Sequence, residues 1–181
     1  MAKKVLCVID MQNDFITGSL GTPEAQAILP KVEEKISSTD PDTIVIFTRD
    51  THTEDYLNTL EGKNLPVPHC IAGTHGWEIT ENLIENLIER SEVTFWIINK
   101  PTFGATDLME ELKSIKEEYG EIELEFVGLC TGICVLSNAI LARATFPNTE
   151  IVVDSSCCAC VSLESHKTAL EAMKLCQITI K

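Results

Sequence analysis

The chain has 181 residues, 44% hydrophobic and 23% charged, a length and composition that suit one globular domain with a sizeable core. Its formal charge of -14, from 14 basic against 28 acidic residues, would repel a phosphate backbone, and no basic cluster longer than Lys3-Lys4 offsets it, which argues against nucleic acid as a partner. No stretch approaches the ~20 apolar residues of a membrane span, and the apolar run after Lys3-Lys4 stops at Asp10, too early for a signal peptide, so the expected address is the cytosol.

Short apolar runs rich in β-branched residues predict strands buried on both faces at Val5 to Ile9, Thr43 to Thr48, Val93 to Ile98, Leu124 to Leu129, Ile151 to Val153 and Ile178 to Ile180. Helical patterns lie between them at Pro23 to Ser37, Ile79 to Arg90, Thr106 to Tyr119, Ile133 to Thr145 and Leu163 to Leu175. This alternation predicts an α/β fold: a Rossmann-like parallel sheet of about six strands with helices on both faces, spanning 1–181 as a single domain. Residues 50–77 break the rhythm, with Gly62, Pro66 and Pro68, little periodicity and three of the four histidines. A long loop without regular structure is usually functional or disordered, and the Asp, His and Glu content here favours function.

Eight cysteines in a chain with no secretion signal read as reduced thiols rather than a disulfide framework. Several, such as Cys7, Cys130 and Cys176, sit in apolar runs and are expected to be small core residues. Cys157, Cys158 and Cys160 follow strand five, and the sequence leaves open whether they belong to an interface or to the core.

Ligands of an open parallel sheet bind beyond the carboxyl ends of its strands. Those ends carry Asp10, Arg49-Asp50, Asn99-Lys100 and the segment Gly128 to Cys134. If strand one lies between strands two and four, Asp10, Cys134 and the Asp50 loop share a crevice. Cys134 follows a glycine-containing turn and opens the next helix, where the helix dipole and free N–H groups lower a thiol pKa and could stabilise an oxyanion. Asp10 could move a proton, with its own pKa raised by burial, and the Lys100 cation could hold a thiolate. Asp50, His52, Glu61 and His69 are oxygen and imidazole donors suited to zinc, manganese or iron. His75, in a turn, and His166, on an expected exposed helix face, are weaker candidates.

Ile9-Asp10-Met11-Gln12-Asn13-Asp14-Phe15 resembles the opening motif of the isochorismatase-like cysteine hydrolases, the superfamily that includes nicotinamidases. The resemblance continues through Thr48 to His52, Pro68 to Thr74, Lys100 to Ala105 and Gly128 to Val135, in the family's order. It implies a catalytic triad of Asp10, Lys100 and Cys134, a cis peptide at Leu129-Cys130, and an oxyanion hole formed by the backbone N–H groups of Cys130 and Cys134. It implies metal binding through Asp50, His52 and His69; the further histidine of many nicotinamidases is replaced by the neighbourhood of Glu54, Asp55 and Tyr56, and Glu61 resembles the glutamate that substitutes in some members. Leu65 stands where an aromatic residue is common, and Gly132 where an aspartate is. Phe15, Leu65, Trp77 and Phe103 are the candidate pocket residues.

The resemblance therefore implies a hydrolase of a linear carboxamide, with nicotinamide the leading substrate, a divalent metal, no organic cofactor, and a homo-oligomer, dimer or tetramer. Two alternatives remain at this stage. An isochorismatase-like or ureido-amide hydrolase would act on another small substrate, and a thiol-rich redox or metal module would use Cys157, Cys158 and Cys160 with Cys130 and Cys134.

Overall fold

A computed structural model describes residues 2–181. Six parallel strands, β1 (Lys3–Ile9), β2 (Ile44–Asp50), β3 (Phe95–Lys100), β4 (Ile122–Leu129), β5 (Ile151–Ala159) and β6 (Thr179–Ile180), form one sheet in the order β3-β2-β1-β4-β5-β6. The order reverses between β1 and β4, the position where doubly wound sheets open a crevice.

Alternation along β1 sorts its side chains between two cores. Val5, Cys7 and Ile9 join the cluster containing helices α5 (Thr106–Tyr119), α6 (Leu136–Thr145) and α7 (Leu163–Leu175). Leu6 and Val8 join the cluster containing α2 (Pro23–Ser37) and α4 (Glu81–Glu89). Helix α2 buries Ala25, Ile28, Val32 and Ile36, the three-and-four spacing that turns one stripe to the sheet, and Thr22 caps it by accepting from Ala25 N–H. The predicted limits of α2, α5 and α7 agree with those observed.

Strand five runs past its expected end at Val153. Asp154, Ser155 and Ser156 interrupt the apolar pattern because they form a bulge, and pairing resumes with Gly128 opposite Cys158 and Leu129 opposite Ala159. Asp154 is held there by Lys35, 2.7 Å away, which also pairs with Glu125 at 2.8 Å. Expected helix Ile79 to Arg90 begins at Glu81, because Ile79 is taken by a β-bridge to Gln12. Residues 50–77 are more ordered than their composition suggests. They hold the short helix α3 (Leu60–Asn64), single helical turns at Tyr56–Asn58 and His75–Trp77, and a parallel bridge between His52 and Ile71. A further short helix, α1 (Asn13–Ile16), lies just after β1.

The cysteines are all free. Cys7 is buried as expected, and Cys70, Cys134, Cys157, Cys158 and Cys160 are buried as well; Cys130 is only partly buried, and Cys176, expected inside, is exposed because it follows the last turn of α7. No helix among the described residues is long and apolar enough to cross a membrane.

Candidate active site

Beyond the carboxyl ends of β1, β2, β3 and β4, four groups meet in the interior. Lys100, ending β3 and 1% exposed, places Nζ 2.7 Å from Asp10 Oδ2, 3.1 Å from Asp50 Oδ1 and 3.5 Å from Cys134 Sγ. Asp10 is fully buried at the end of β1, with φ of 48°, and its Oδ1 accepts a 2.6 Å hydrogen bond from Thr48 Oγ1. Asp10 Oδ2 lies 2.7 Å from the Lys100 ammonium in a buried ion pair.

Gly128 makes this approach of β1 and β4 possible. A Cβ there would lie 2.1 Å from the Ile9 carbonyl oxygen, and its φ of +116° is a conformation that only glycine adopts readily. After it, the Leu129-Cys130 peptide is cis, as the resemblance implied. The nucleophile turn departs from expectation. Cys134 lies within a wide π-type turn, Thr131–Val135, and α6 begins only at Leu136, so Cys134 does not open the α-helix.

That placement changes the thiol. Burial, reinforced by the Asp10 carboxylate, pushes Cys134 well above the ordinary thiol range, against the pull of Lys100. The expected lowering by a helix end is overruled, because the group is desolvated and faces a carboxylate. Asp10 is itself raised, by burial first, with Lys100 and Thr48 opposing. Lys100 would be lowered by burial, but Asp10, Cys134 and Asp50 hold it above its ordinary value and thus protonated. The resting site is a neutral thiol beside a carboxyl group and a fixed cation, an arrangement suited to general-base activation of a nucleophile.

Asp50 turns its other oxygen toward a second cluster. His52 Nε2 lies 3.0 Å from Asp50 Oδ2 and 3.7 Å from Glu61 Oε1; His69 Nε2 lies 3.7 Å from both of those oxygens. One donor atom from each of the four residues falls within 4.8 Å of every other. With metal bonds of about 2.1 Å, tetrahedral donors stand about 3.4 Å apart, so two imidazoles and two carboxylates at this spacing fit a divalent ion. His69 Nδ1 bonds the Val67 carbonyl at 2.8 Å, which aims Nε2 into the cluster. These four are the residues that could hold a metal, and no cysteine belongs to the group.

Sequence reasoning overlooked the residues that brace these clusters. Gln12 Nε2 donates to the carbonyls of Asp50 and Trp77, both at 2.8 Å, and Gln12 Oε1 accepts from Asp50 N–H at 2.7 Å. Asp14 Oδ2 accepts from Cys70 N–H at 2.7 Å, beside His69. Buried Asn138 ties the Lys100 loop to the nucleophile: it accepts from Ala105 N–H at 2.8 Å and donates to the carbonyls of Cys134 and Phe103 at 2.8 and 3.2 Å. An i, i+4 signal, Cys134 to Asn138, was available for it. His166 is not on an exposed face; it shares a 2.8 Å hydrogen bond with Thr131 Oγ1, whereas His75 is exposed.

Of the candidate pocket residues, Phe15 packs near His69, with ring centroids 5.5 Å apart, and Trp77 is held by Thr51 Oγ1 at 2.8 Å under the Arg49 guanidinium. Phe103 and Leu65 are exposed, at 46% and 39%, and each offers a backbone carbonyl, to Asn138 and Tyr56 respectively.

Residues 4–180 match the isochorismatase domain family. The chain belongs to the isochorismatase family. An uncharacterised isochorismatase family protein of Bacillus subtilis, PncA, is 32% identical over 179 residues, 93% of this chain and 92% of that one. The crystal structure of nicotinamidase PncA from Bacillus subtilis is 29% identical, with a TM-score of 0.83 over 98% of both chains. The zinc complex of pyrazinamidase from Pyrococcus horikoshii is 26% identical, with a TM-score of 0.77 over 99% of this chain and 98% of that one. The family places this chain among the hydrolases.

Proposed function

We propose that the protein hydrolyses nicotinamide to nicotinate and ammonia through a thioester on Cys134. The observation that carries this reading is the position of Lys100, whose Nζ joins Asp10, Cys134 and Asp50, so that the nucleophile and the metal-type cluster are one site. The similarity to nicotinamidase PncA and to a zinc-bound pyrazinamidase supports the substrate class and the ion.

In this reading Cys134 Sγ attacks the amide carbon while Asp10 Oδ2 takes the thiol proton. Lys100 keeps its charge throughout and balances the carboxylate. The backbone N–H groups of Cys130 and Cys134 receive the developing oxyanion. Asp10 then gives its proton to the departing amine, the C–N bond breaks and ammonia leaves. Water, deprotonated by Asp10, attacks the thioester, and the proton returns to sulfur as nicotinate departs. Asp50, His52, Glu61 and His69 would hold the divalent ion, which when bound supplies a Lewis acid for the lone pair of a ring nitrogen. The eight free thiols and the absence of a long apolar helix among the described residues support a cytoplasmic location. Family resemblance favours a dimer or tetramer.

The test is ammonia release from nicotinamide by purified protein beside Cys134→Ala, with and without a chelator followed by zinc or manganese. Turnover lost in the variant and on chelation, and regained with metal, supports the full reading. No release by reduced, metal-loaded protein overturns nicotinamide as substrate and directs the search to other carboxamides.

A further inference from the structure

Tyr56 belongs to an irregular segment and carries a hydroxyl, yet it is 1% exposed. Its ring centroid lies 4.7 Å from that of His52 and 4.9 Å from that of His69, and the two imidazoles are 4.9 Å from each other. The three rings close a triangle in which the tyrosine is the member that offers no ligand to the cluster. Its hydroxyl donates to the Leu65 carbonyl at 3.0 Å, bridging the ends of segment 56–65, with Glu61 in its middle. The same segment is packed on the Tyr56 backbone. Thr59 Oγ1 donates to the Tyr56 carbonyl at 2.6 Å and accepts from Gly62 N–H at 3.0 Å, and a Cβ on Gly62 would stand 2.1 Å from that carbonyl oxygen.

We propose that Tyr56 is the positioning residue of the metal centre, its ring setting the planes of His52 and His69 and its hydroxyl fixing the turn that delivers Glu61. The inference rests on the metal-dependent reading given above and adds to it a division of labour within one side chain. An imidazole with a single anchoring hydrogen bond can still swing about its side-chain torsions, and an edge-on aromatic neighbour removes that freedom before the ion arrives. Carboxylate delivery is a separate matter, governed by the turn. Losing such supporting contacts costs about 10–100-fold in metal affinity.

The experiment is zinc affinity, measured by competition with a chromogenic chelator, for wild type, Tyr56→Phe, Tyr56→Leu, Glu61→Gln and the two double variants, with folding followed by circular dichroism. Tyr56→Phe, which keeps the ring, is expected to weaken zinc about tenfold, and Tyr56→Leu about a hundredfold. In the Glu61→Gln background the Tyr56→Phe loss should shrink below about twofold while the Tyr56→Leu loss persists, since the hydroxyl acts through Glu61 and the ring through the histidines. A wild type that binds zinc, with either a Tyr56→Phe affinity equal to it or a Tyr56→Phe loss undiminished in Glu61→Gln, would overturn the inference alone. A wild type that binds no zinc would overturn the metal reading and this inference with it. Should Tyr56→Leu fail to fold, the Tyr56→Phe cycle still decides.

Discussion

Asp50 gives one carboxylate oxygen to Lys100, 3.1 Å from Nζ, and turns the other toward His52, 3.0 Å from Nε2. A single side chain therefore serves both the cation of the nucleophile site and the ligand cluster. Asp50→Asn keeps the shape but removes the charge from both, and should lower turnover of nicotinamide about a hundredfold. Added zinc should restore chelator-stripped wild type and leave Asp50→Asn unrestored; recovery of the variant on zinc would show that the carboxylate is dispensable.

Burial and the neighbouring Asp10 push the Cys134 thiol pKa up while Lys100 pulls it down. Asp10→Asn removes the repelling carboxylate and leaves the cation, so iodoacetamide should alkylate Cys134 faster in the variant at pH 7.5. Hydrolysis should fall by about 10²–10⁴ in the same protein, because the proton acceptor is gone. Mass-spectrometric alkylation rates beside ammonia release separate the two effects, and slower alkylation would show that the Asp10 carboxylate does not hold the thiol pKa up.

Asn138 satisfies three backbone groups between the Lys100 loop and the nucleophile turn. Asn138→Leu should destabilise the protein by about 1–3 kcal/mol, through unpaired buried polar groups, and should reduce kcat more than it raises KM. Denaturant unfolding and steady-state kinetics check both parts; unchanged stability would show that water replaces the amide.

At Gly128 a methyl group has no room, with the Ile9 carbonyl oxygen 2.1 Å from its position and φ at +116°. Gly128→Ala should separate β1 from β4 and cost more than about 3 kcal/mol, from strain and lost pairing together. A thermal melt within a few degrees of wild type would refute the close approach.

Acid stability should depend on Asp154. Burial raises this carboxyl, but hydrogen bonds from Lys35 and Ser156 outweigh it and hold the pKa below the ordinary value. A depressed carboxyl binds fewer protons in the folded state, so its contribution is present above about pH 4 and lost as pH falls through the folded pKa. Asp154→Asn should lower the melting temperature at pH 7, with a difference from wild type that narrows below pH 4. A gap that stays constant down to pH 3 would place the Lys35 interaction elsewhere.

The helices read to their observed limits, α2, α5 and α7, each bury a local stripe, and Thr22 before Pro23 and Ser162 before Leu163 cap two of them. Strand five was cut short because Asp154-Ser155-Ser156 looks like an ending, and only the neighbouring β4 shows that it is a bulge. In the opening motif, Asp10 was recognisable as a reactive group. The tasks of Gln12 and Asp14, bonded to the backbones of Asp50 and Cys70, depend on partners 38 and 56 positions away. His166 looked like a solvent-facing residue because its partner Thr131 lies in another element.

By itself, the sequence determined the number and type of main elements, the family, and the identity of Asp10, Asp50, His52, Glu61, His69, Lys100 and Cys134 as candidate chemistry, because periodicity and motif spacing are written along the chain. Tertiary structure alone decided that Lys100 stands among Asp10, Asp50 and Cys134, that burial pushes the thiol pKa up, and that Tyr56 backs the two histidines. These are matters of distance and desolvation between groups far apart in the chain, and such quantities come into being only when the sheet brings its carboxyl ends together.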